Sequence, residues 1–339
     1  MPRAVRVVTL LIVAAAGAGA WAVSELNRTG PPVTAPAVVT VEEGKRFADV
    51  ARELHARGLL RHPMLLVAWA RLTRRDRQIR AGDFLVTTPL SPLGLLARIT
   101  SRPDLHQVTI PEGLPVHDVI ALLAAAGFGS EESFWCLLDD PEFLASEDLP
   151  PEGAEGYLFP DTYDFPLATP PERILRTMLG RFRAVFTPEL AAKAATLGLS
   201  VHQAVTLASL VEEEAQRADE RRLVAAVFVN RLRRGMPLQS DPTVLYGRDG
   251  SDRTLTHADL RRPTPYNTYT IPGLPPTPIA NPGRAALEAA VDPAPVDHLY
   301  FVARGDGSHQ FSATLAEHNA AVARYTSPTR DTSRVGGGR

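Results

Sequence analysis

Residues 200–216 read SVHQAVTLASLVEEEAQ. Ser200 with Gln203 three positions on is a capping-box start, and Ala, Leu and Glu fill most of the remaining positions, so the stretch predicts a helix. At about 100° per residue, Val201, Ala204, Val205, Ala208, Val211 and Ala215 share one arc, and Glu212 falls inside it. Glu213 lies opposite with His202, Thr206 and Ser209, Glu214 lies near the edge, and Leu210 breaks the pattern on the polar side. One of three consecutive carboxylates is therefore expected on the apolar face. A carboxyl group in apolar surroundings keeps its proton to higher pH, which is how a general acid is made. A solvated charge run, with the helix slightly rotated, fits the same residues equally well.

Outward from this helix, 339 residues with 45% hydrophobic and 22% charged side chains suit two or three folded domains. A net charge of -2 supplies no field that argues for nucleic acid. The single cysteine, Cys136, excludes an internal disulfide or a cysteine-rich metal site and reads as a buried structural thiol. There is no P-loop, no GxGxxG after a strand, no HExxH and no GxSxG. The nine histidines are scattered; His309 and His318, in the segment HQFSATLAEH, read as structural or loop residues rather than metal ligands.

Arg3 and Arg6 precede an apolar run from Val7 to Val23. The run is at the short end of a membrane-spanning helix, and the basic flank predicts the inside end. The expectation is a single-pass anchor in inner-membrane lipid through residues 7–23, with the bulk of the chain on the extracytoplasmic side of the cytoplasmic membrane. A cleaved signal peptide is the alternative, because Ala18-Gly19-Ala20 and Ala20-Trp21-Ala22 resemble cleavage sites. Residues 25–37, with Gly30, Pro31, Pro32 and Pro36, read as a linker lifting the folded part off the membrane.

A unit then recurs. Thr40-Val41-Glu42-Glu43-Gly44, followed by Phe47-Ala48-Asp49-Val50-Ala51, Leu54 and Gly58, is matched by Thr109-Ile110-Pro111-Glu112-Gly113, followed by Val116-His117-Asp118-Val119-Ile120, Leu123 and Gly127. Each copy predicts a short strand, a turn at Glu-Gly and an amphipathic helix ending at glycine. Arg80–Val86 reads as a returning strand and Ser91–Ile99 as a helix with Ser91 as its cap and Pro92 in the first turn. Small units of this kind resemble LysM domains, which bind glycan chains; a generic packing module is the plainer reading. Pro150 and Pro151 mark a domain boundary, and Glu155-Gly156-Tyr157-Leu158-Phe159-Pro160-Asp161-Thr162-Tyr163 reads as an extended loop whose aromatics suit sugar rings, or as a plain strand with a turn.

Helices are expected over 170–186 and 188–197, and a further one to Arg234, capped by Asp219 and stopped by Gly235. Met236–Gly247 sets amides and carboxylates among apolar residues. Seven prolines between Pro263 and Pro282 enclose Tyr266-Asn267-Thr268-Tyr269 and predict an irregular but ordered loop, with a strand at Leu299–Val302 to follow.

Taken together, EGYLFPDTY at Glu155–Tyr163, ASLVEEEA at Ala208–Ala215, VFVNRLRRGMPLQSDPTVLYG at Val227–Gly247, YNTYTIPGLPPTPIANPG at Tyr266–Gly283 and HLYFVARGDGSHQFSATLAEHN at His298–Asn319 resemble the YceG-like family of endolytic murein transglycosylases. The resemblance covers almost everything from Val38 to Tyr325. The N-terminal anchor and the LysM-like repeated unit over 38–150 fit it too, in an α+β chain with a mixed α+β catalytic domain over 151–327, and residues 328–339, with Gly336–Gly338, read as a disordered tail. The resemblance implies cleavage of peptidoglycan glycan strands between N-acetylmuramic acid and N-acetylglucosamine to leave 1,6-anhydro ends, with no metal or organic cofactor, and a role in ending nascent strands beside cell-wall synthases. The family's catalytic glutamate falls on Glu212, while Leu210 and Glu213 stand where Ile and Lys are usual and Ala154 where Leu is common. Glu155, Asn230, Gln239, Asp241, Tyr266 and Asn267 are implied to line the cleft. Two alternatives remain at this level: a muramidase-type hydrolase with Glu155 or Asp241 as second carboxylate, and a non-catalytic wall-binding scaffold.

Overall fold

The computed structural model describes residues 3–33, 37–166, 169–247 and 255–325. The middle of the proline-rich linker and the expected disordered tail lie outside the described residues. The chain forms two units, one of Met1–Val108 and Tyr163–Pro170, the other of Thr109–Thr162 and Pro171–Arg339. The expected boundary at Pro150–Pro151 falls inside the second unit.

The first unit begins with helix α1 (Arg3–Asn27), of which Val7–Asn27 is long and apolar enough to cross a membrane. Strand β1 (Ala37–Val41), helices α2 (Phe47–Ala56) and α3 (Pro63–Leu72), strand β2 (Gly82–Val86) and helix α4 (Pro92–Ile99) follow. β1 and β2 pair antiparallel, from Ala37 opposite Val86 to Val41 opposite Gly82. Val39, Val41, Phe84 and Val86 point from this ribbon into a core completed by Val50, Leu54, Leu66 and Leu96. Ser91 caps α4 by accepting from the Gly94 N–H at 3.1 Å, as its sequence indicates. The last turn of α1 belongs to this core: Leu26 is 2% exposed, and the Gly30 N–H donates to Leu90 O at 3.0 Å. Residues 28–33 are thus tied to the unit from their start, where the sequence suggested a spacer.

Strand β3 (His106–Thr109) leads into the second unit, which holds α5 (Val116–Ala125), α6 (Glu131–Leu138) and α7 (Pro141–Ser146) before strand β4 (Thr162–Phe165) pairs with β3. The repeat is real in the backbone. Gly44 and Gly113 both take left-handed φ, +78° and +81°, at the turn before the helix, and Gly58 and Gly127 do so after it, at +71° and +86°. Both helices then close with the same bond, Leu59 N–H to Leu54 O and Phe128 N–H to Leu123 O, which satisfies an otherwise orphaned carbonyl of the last turn. Beyond that bond the copies diverge, since the partner strand of the first is β2 and that of the second is β4. Cys136 is exposed, correcting the expected buried thiol: Phe134 and Leu138 face inward on α6, and Cys136, two residues from each, falls on the opposite face.

Helices α8 (Pro171–Val185), α9 (Pro188–Thr196), α10 (Val201–Glu214), α11 (Arg221–Arg233), α12 (Asp241–Leu245) and α13 (Arg284–Val291), the hairpin of β5 (Tyr300–Ala303) and β6 (His309–Ser312), and α14 (Leu315–Tyr325) complete the unit. Helix α10 is its centre. The capping box forms at both bonds, Gln203 N–H to Ser200 Oγ and Ser200 N–H to Gln203 Oε1. The amphipathic expectation fails, because every residue from Ala204 to Val211 is buried, Thr206, Ser209 and Leu210 included. Helices α11 and α13 both pack on α10, and the loop at Ile279 covers it at Ser209. Thr206 and Ser209 are satisfied there by donating to His202 O and Thr206 O, and Ser209 Oγ also accepts the Ile279 N–H at 3.1 Å. The N-cap of α11 is Glu220, not Asp219.

Candidate active site

Three glutamates end α10, Glu212, Glu213 and Glu214. The C-terminal turn of a helix carries the negative end of its dipole, so carboxylates there are disfavoured by about 0.3–1 kcal/mol each. Other helices offset this. Glu212 Oε2 accepts the Gly283 N–H at 2.9 Å, and Gly283 is the N-cap of α13. Glu212 Oε1 has a 3.5 Å contact with Arg221 Nη2 from the first turn of α11, and the Glu212 side chain is only 7% exposed. Arg221 Nε is buried beside it with no hydrogen-bond partner among the described residues. Glu214 Oε1 accepts from Ser240 Oγ at 2.7 Å and the carboxyl also accepts the Asp241 N–H, so it sits at the start of α12. Burial pushes Glu214 up to about 7, with the charges of Asp241 and Glu213 adding to the effect.

Glu155 follows the same rule at a third helix. Both its oxygens accept the Val116 N–H at the start of α5, at 3.0 and 3.2 Å, and Oε2 accepts from Tyr246 Oη at 2.9 Å. Burial pushes Glu155 up to about 7 against these donors. Tyr246 is the C-cap of α12, whose first residue, Asp241, meets Glu214. One five-residue helix therefore links the Glu214 and Glu155 clusters. Tyr266 packs its ring 4.8 Å from that of Tyr246 and bonds Thr277 Oγ1 through its hydroxyl at 2.9 Å.

The segment Gln239–Asp241 lies over the Glu214 end. Gln239 is exposed and holds a left-handed φ of +52°, unusual for a residue with a side chain. Such strain persists where the surroundings enforce it and gathers at functional sites. Here the Gln239 N–H donates to Thr268 O, and buried Arg231 donates to Pro237 O, Leu238 O and Gln239 Oε1. Asp241 Oδ1 accepts from Tyr269 Oη at 2.6 Å.

Of the expected cleft residues, Glu212, Gln239, Asp241, Glu155 and Tyr266 thus cluster around α10 and α12. The side-chain amides of Asn230 and Asn267 are engaged by backbone carbonyls. Asn230 Nδ2 donates to Val296 O and His298 O, and Asn267, 1% exposed, donates to Asp259 O, Leu260 O and Arg262 O. Both hold loops in shape. The aromatics of 157–163 are core as well: Tyr157, Phe159 and Tyr163 are buried, and Tyr157 Oη bonds His202 Nδ1 at 3.0 Å.

Sequence reading missed Glu112. Its carboxyl lies against Gly283, where an added Cβ would meet Oε1 at 1.9 Å. Partial burial and the charge of Glu212 hold Glu112 above the usual carboxylate range. Its loop is pinned by Asn281, which is fully buried. Asn281 N–H and Nδ2 both donate to Leu114 O, the Gly113 N–H donates to Asn281 O, and the Leu158 N–H donates to Asn281 Oδ1. The signal was present in the repeated Glu-Gly turn, which places a carboxylate at the same offset in both copies.

A cluster of glutamates at helix ends, two of them holding protons near neutral pH, defines a site suited to acid–base chemistry. The chain belongs to the YceG-like family, whose model matches residues 39–324. It is similar to the protein named endolytic murein transglycosylase of Bacillus subtilis, at 37% identity over 73% of this chain and 73% of that one. A protein of the same name from Streptococcus pneumoniae is 28% identical over 85% of this chain, which spans 58% of its length. A crystal structure of a YceG-like protein from Listeria monocytogenes matches with a TM-score of 0.58 and 28% identity, over 85% of this chain and 99% of that one.

Proposed function

We propose that the chain is an endolytic lytic transglycosylase that cleaves peptidoglycan glycan strands between N-acetylmuramic acid and N-acetylglucosamine, with Glu212 as general acid and base. One observation carries the reaction class, the 37% identity to a protein named endolytic murein transglycosylase. The choice of Glu212 is supported by its place at the end of the central helix. Its Oε2 accepts the Gly283 N–H, and among the described residues Oε1 has only the long Arg221 contact, which supports Oε1 as the oxygen that meets substrate.

In the first step the acid form of Glu212 gives its proton to the glycosidic oxygen as the bond to muramoyl C1 breaks. The carboxylate then takes the proton of the C6 hydroxyl as that oxygen bonds to C1 of the same ring. Glu212 ends as it began, and the product carries a 1,6-anhydro bridge. The nucleophile is intramolecular, so no second carboxylate has to activate water. Arg221 lies where it offsets the charge left on Glu212 between the two transfers. Gln239, Asp241 and Tyr266 present polar groups to the sugar, while Glu155, Asn230 and Asn267 support the surrounding loops.

The β1-α2-α3-β2 unit is assigned glycan contact on its LysM-like order, and α1 the role of a single-pass anchor with the folded units outside the cytoplasmic membrane. Cuts within nascent strands end their elongation, an activity that belongs beside wall synthases. The test is mass spectrometry of purified glycan strands digested by the chain and by Glu212→Gln. Anhydro ends from the parent and none from the variant are expected. Reducing ends from the parent indicate a hydrolase; full activity in the variant removes Glu212 from its role.

A further inference from the structure

We infer that the corner of the first unit where the end of α1 meets the start of α3 is a membrane-contact surface, at which Arg28 and Arg61 take the phosphate of an anionic lipid headgroup and Met64 enters the interface. The inference rests on reading α1 as a membrane anchor.

Length comes first. The run Val7–Val23 has 17 residues and rises about 25 Å as a helix, at the short end of what spans a bilayer, so the span completes itself only with the residues that follow, up to Asn27. A short span draws its flanking residues toward the headgroups. In this chain there is no slack to absorb that pull. Leu26, three residues past the run, is 2% exposed and locked into the core of the first unit, and Glu25 is 9% exposed. Whatever surrounds that turn is therefore carried into the headgroup layer with it.

The residues found there suit that layer. The Trp21 ring, 57% exposed, packs edge-on against His62 at 5.8 Å, and His62 is the N-cap of α3. An amphipathic indole at this depth is the usual marker of a membrane interface. Met64, in the first turn of α3, is 77% exposed, an apolar side chain turned to solvent. Arg28 and Arg61 stand 3.6 and 3.9 Å from Glu25. Both separations are too long for hydrogen bonds, so Glu25, which also has His62 Nε2 at 3.7 Å, holds the two guanidinium groups near one another with no hydrogen bond to either among the described residues. Two guanidinium forks beside an interfacial tryptophan match a lipid phosphate in charge and geometry.

The test uses the full chain with Cys136→Ser and Met64→Cys, labelled at position 64 with an environment-sensitive fluorophore. It is reconstituted into phosphatidylcholine vesicles with or without phosphatidylglycerol, each carrying a headgroup spin label as quencher. Quenching of the label is expected, greater with phosphatidylglycerol, and at least halved by Arg28→Gln with Arg61→Gln, whereas the Lys pair retains most of it. A chain that floats with the vesicles but shows no quenching, or quenching indifferent to phosphatidylglycerol, overturns the contact while leaving the anchor intact. A chain that fails to float overturns the anchor and the contact together. The lipid comparison is made on a chain with both arginines, so the result does not depend on the double variant folding.

Discussion

Glu214→Gln is expected to make the protein more stable at alkaline pH and to leave it unchanged at acid pH. The Glu214 carboxyl is enclosed at the start of α12 and burial raises it from the ordinary 4.5 to about 7. Between those values the folded chain holds a proton that the unfolded chain has released, so stability falls as pH rises through the window and is fully present only below it. A shift of that size is worth about 3 kcal/mol above pH 7. Glutamine cannot ionise and avoids the loss. Its amide fits the same partners, accepting the Asp241 N–H and donating to Ser240 Oγ, whose hydroxyl turns to accept. In a unit of this size, about 3 kcal/mol corresponds to a melting shift of roughly 6–12 °C. Thermal unfolding followed by circular dichroism at pH 4 and pH 8 measures it. Near-coincidence of parent and variant at pH 4, with the variant melting higher at pH 8, is the expected pattern. Parallel decline of the two between pH 4 and pH 8 refutes a proton held on Glu214.

Three other substitutions act through contacts already described or close to them. Gly156→Ala places a Cβ 2.5 Å from Pro278 Cγ and 2.9 Å from Val205 Cγ1 at a φ of +88°, so overpacking and left-handed strain together cost about 2–5 kcal/mol, read as a lowered denaturant midpoint. Asn281→Ala strands the buried Leu158 N–H and frees the Glu112 loop; the unpaired donor costs about 1–3 kcal/mol, and glycan cleavage should fall further than the melting temperature alone explains. Glu112→Gln leaves the fold intact, because it preserves the shape of the side chain against Gly283, but it removes a charge beside Glu212. Its pH profile for cleavage should shift against the parent's, and an unchanged profile separates Glu112 from the chemistry.

Local features were the legible ones. The capping box at Ser200, the cap at Ser91, the glycine stops and the repeat all depend on residues within a few positions of one another, and each appears in the structure. Helix α3, a nearly continuous apolar run, shows no period to read, and α13 lacks a side-chain cap. The missing α13 misled the reading of α10, since a wheel with one partner assigns Thr206, Ser209 and Leu210 to water. Site residues were affected in the same way. Periodicity set Glu212 apart from Glu213 and Glu214 on a one-sided face that the structure does not have, and that Asn267 ties a loop and Glu155 caps α5 depends on carbonyls and N–H groups far away in sequence. Glu112 was visible within its motif and overlooked because the motif was read as a turn.

The paired turns also differ in what surrounds them. Gly44 and Gly113 share a backbone conformation at equivalent positions, yet a Cβ at Gly44 would find open space and one at Gly113 would lie 2.9 Å from Glu213. The glutamate before each has parted in the same way, Glu43 exposed to solvent and Glu112 set against Gly283. The same dipeptide in the same backbone conformation thus has two surroundings: the first copy's turn is unencumbered, and the second's is packed against the end of α10 and the start of α13. A side chain tolerated in the first turn for want of neighbours is therefore excluded from the second by contact.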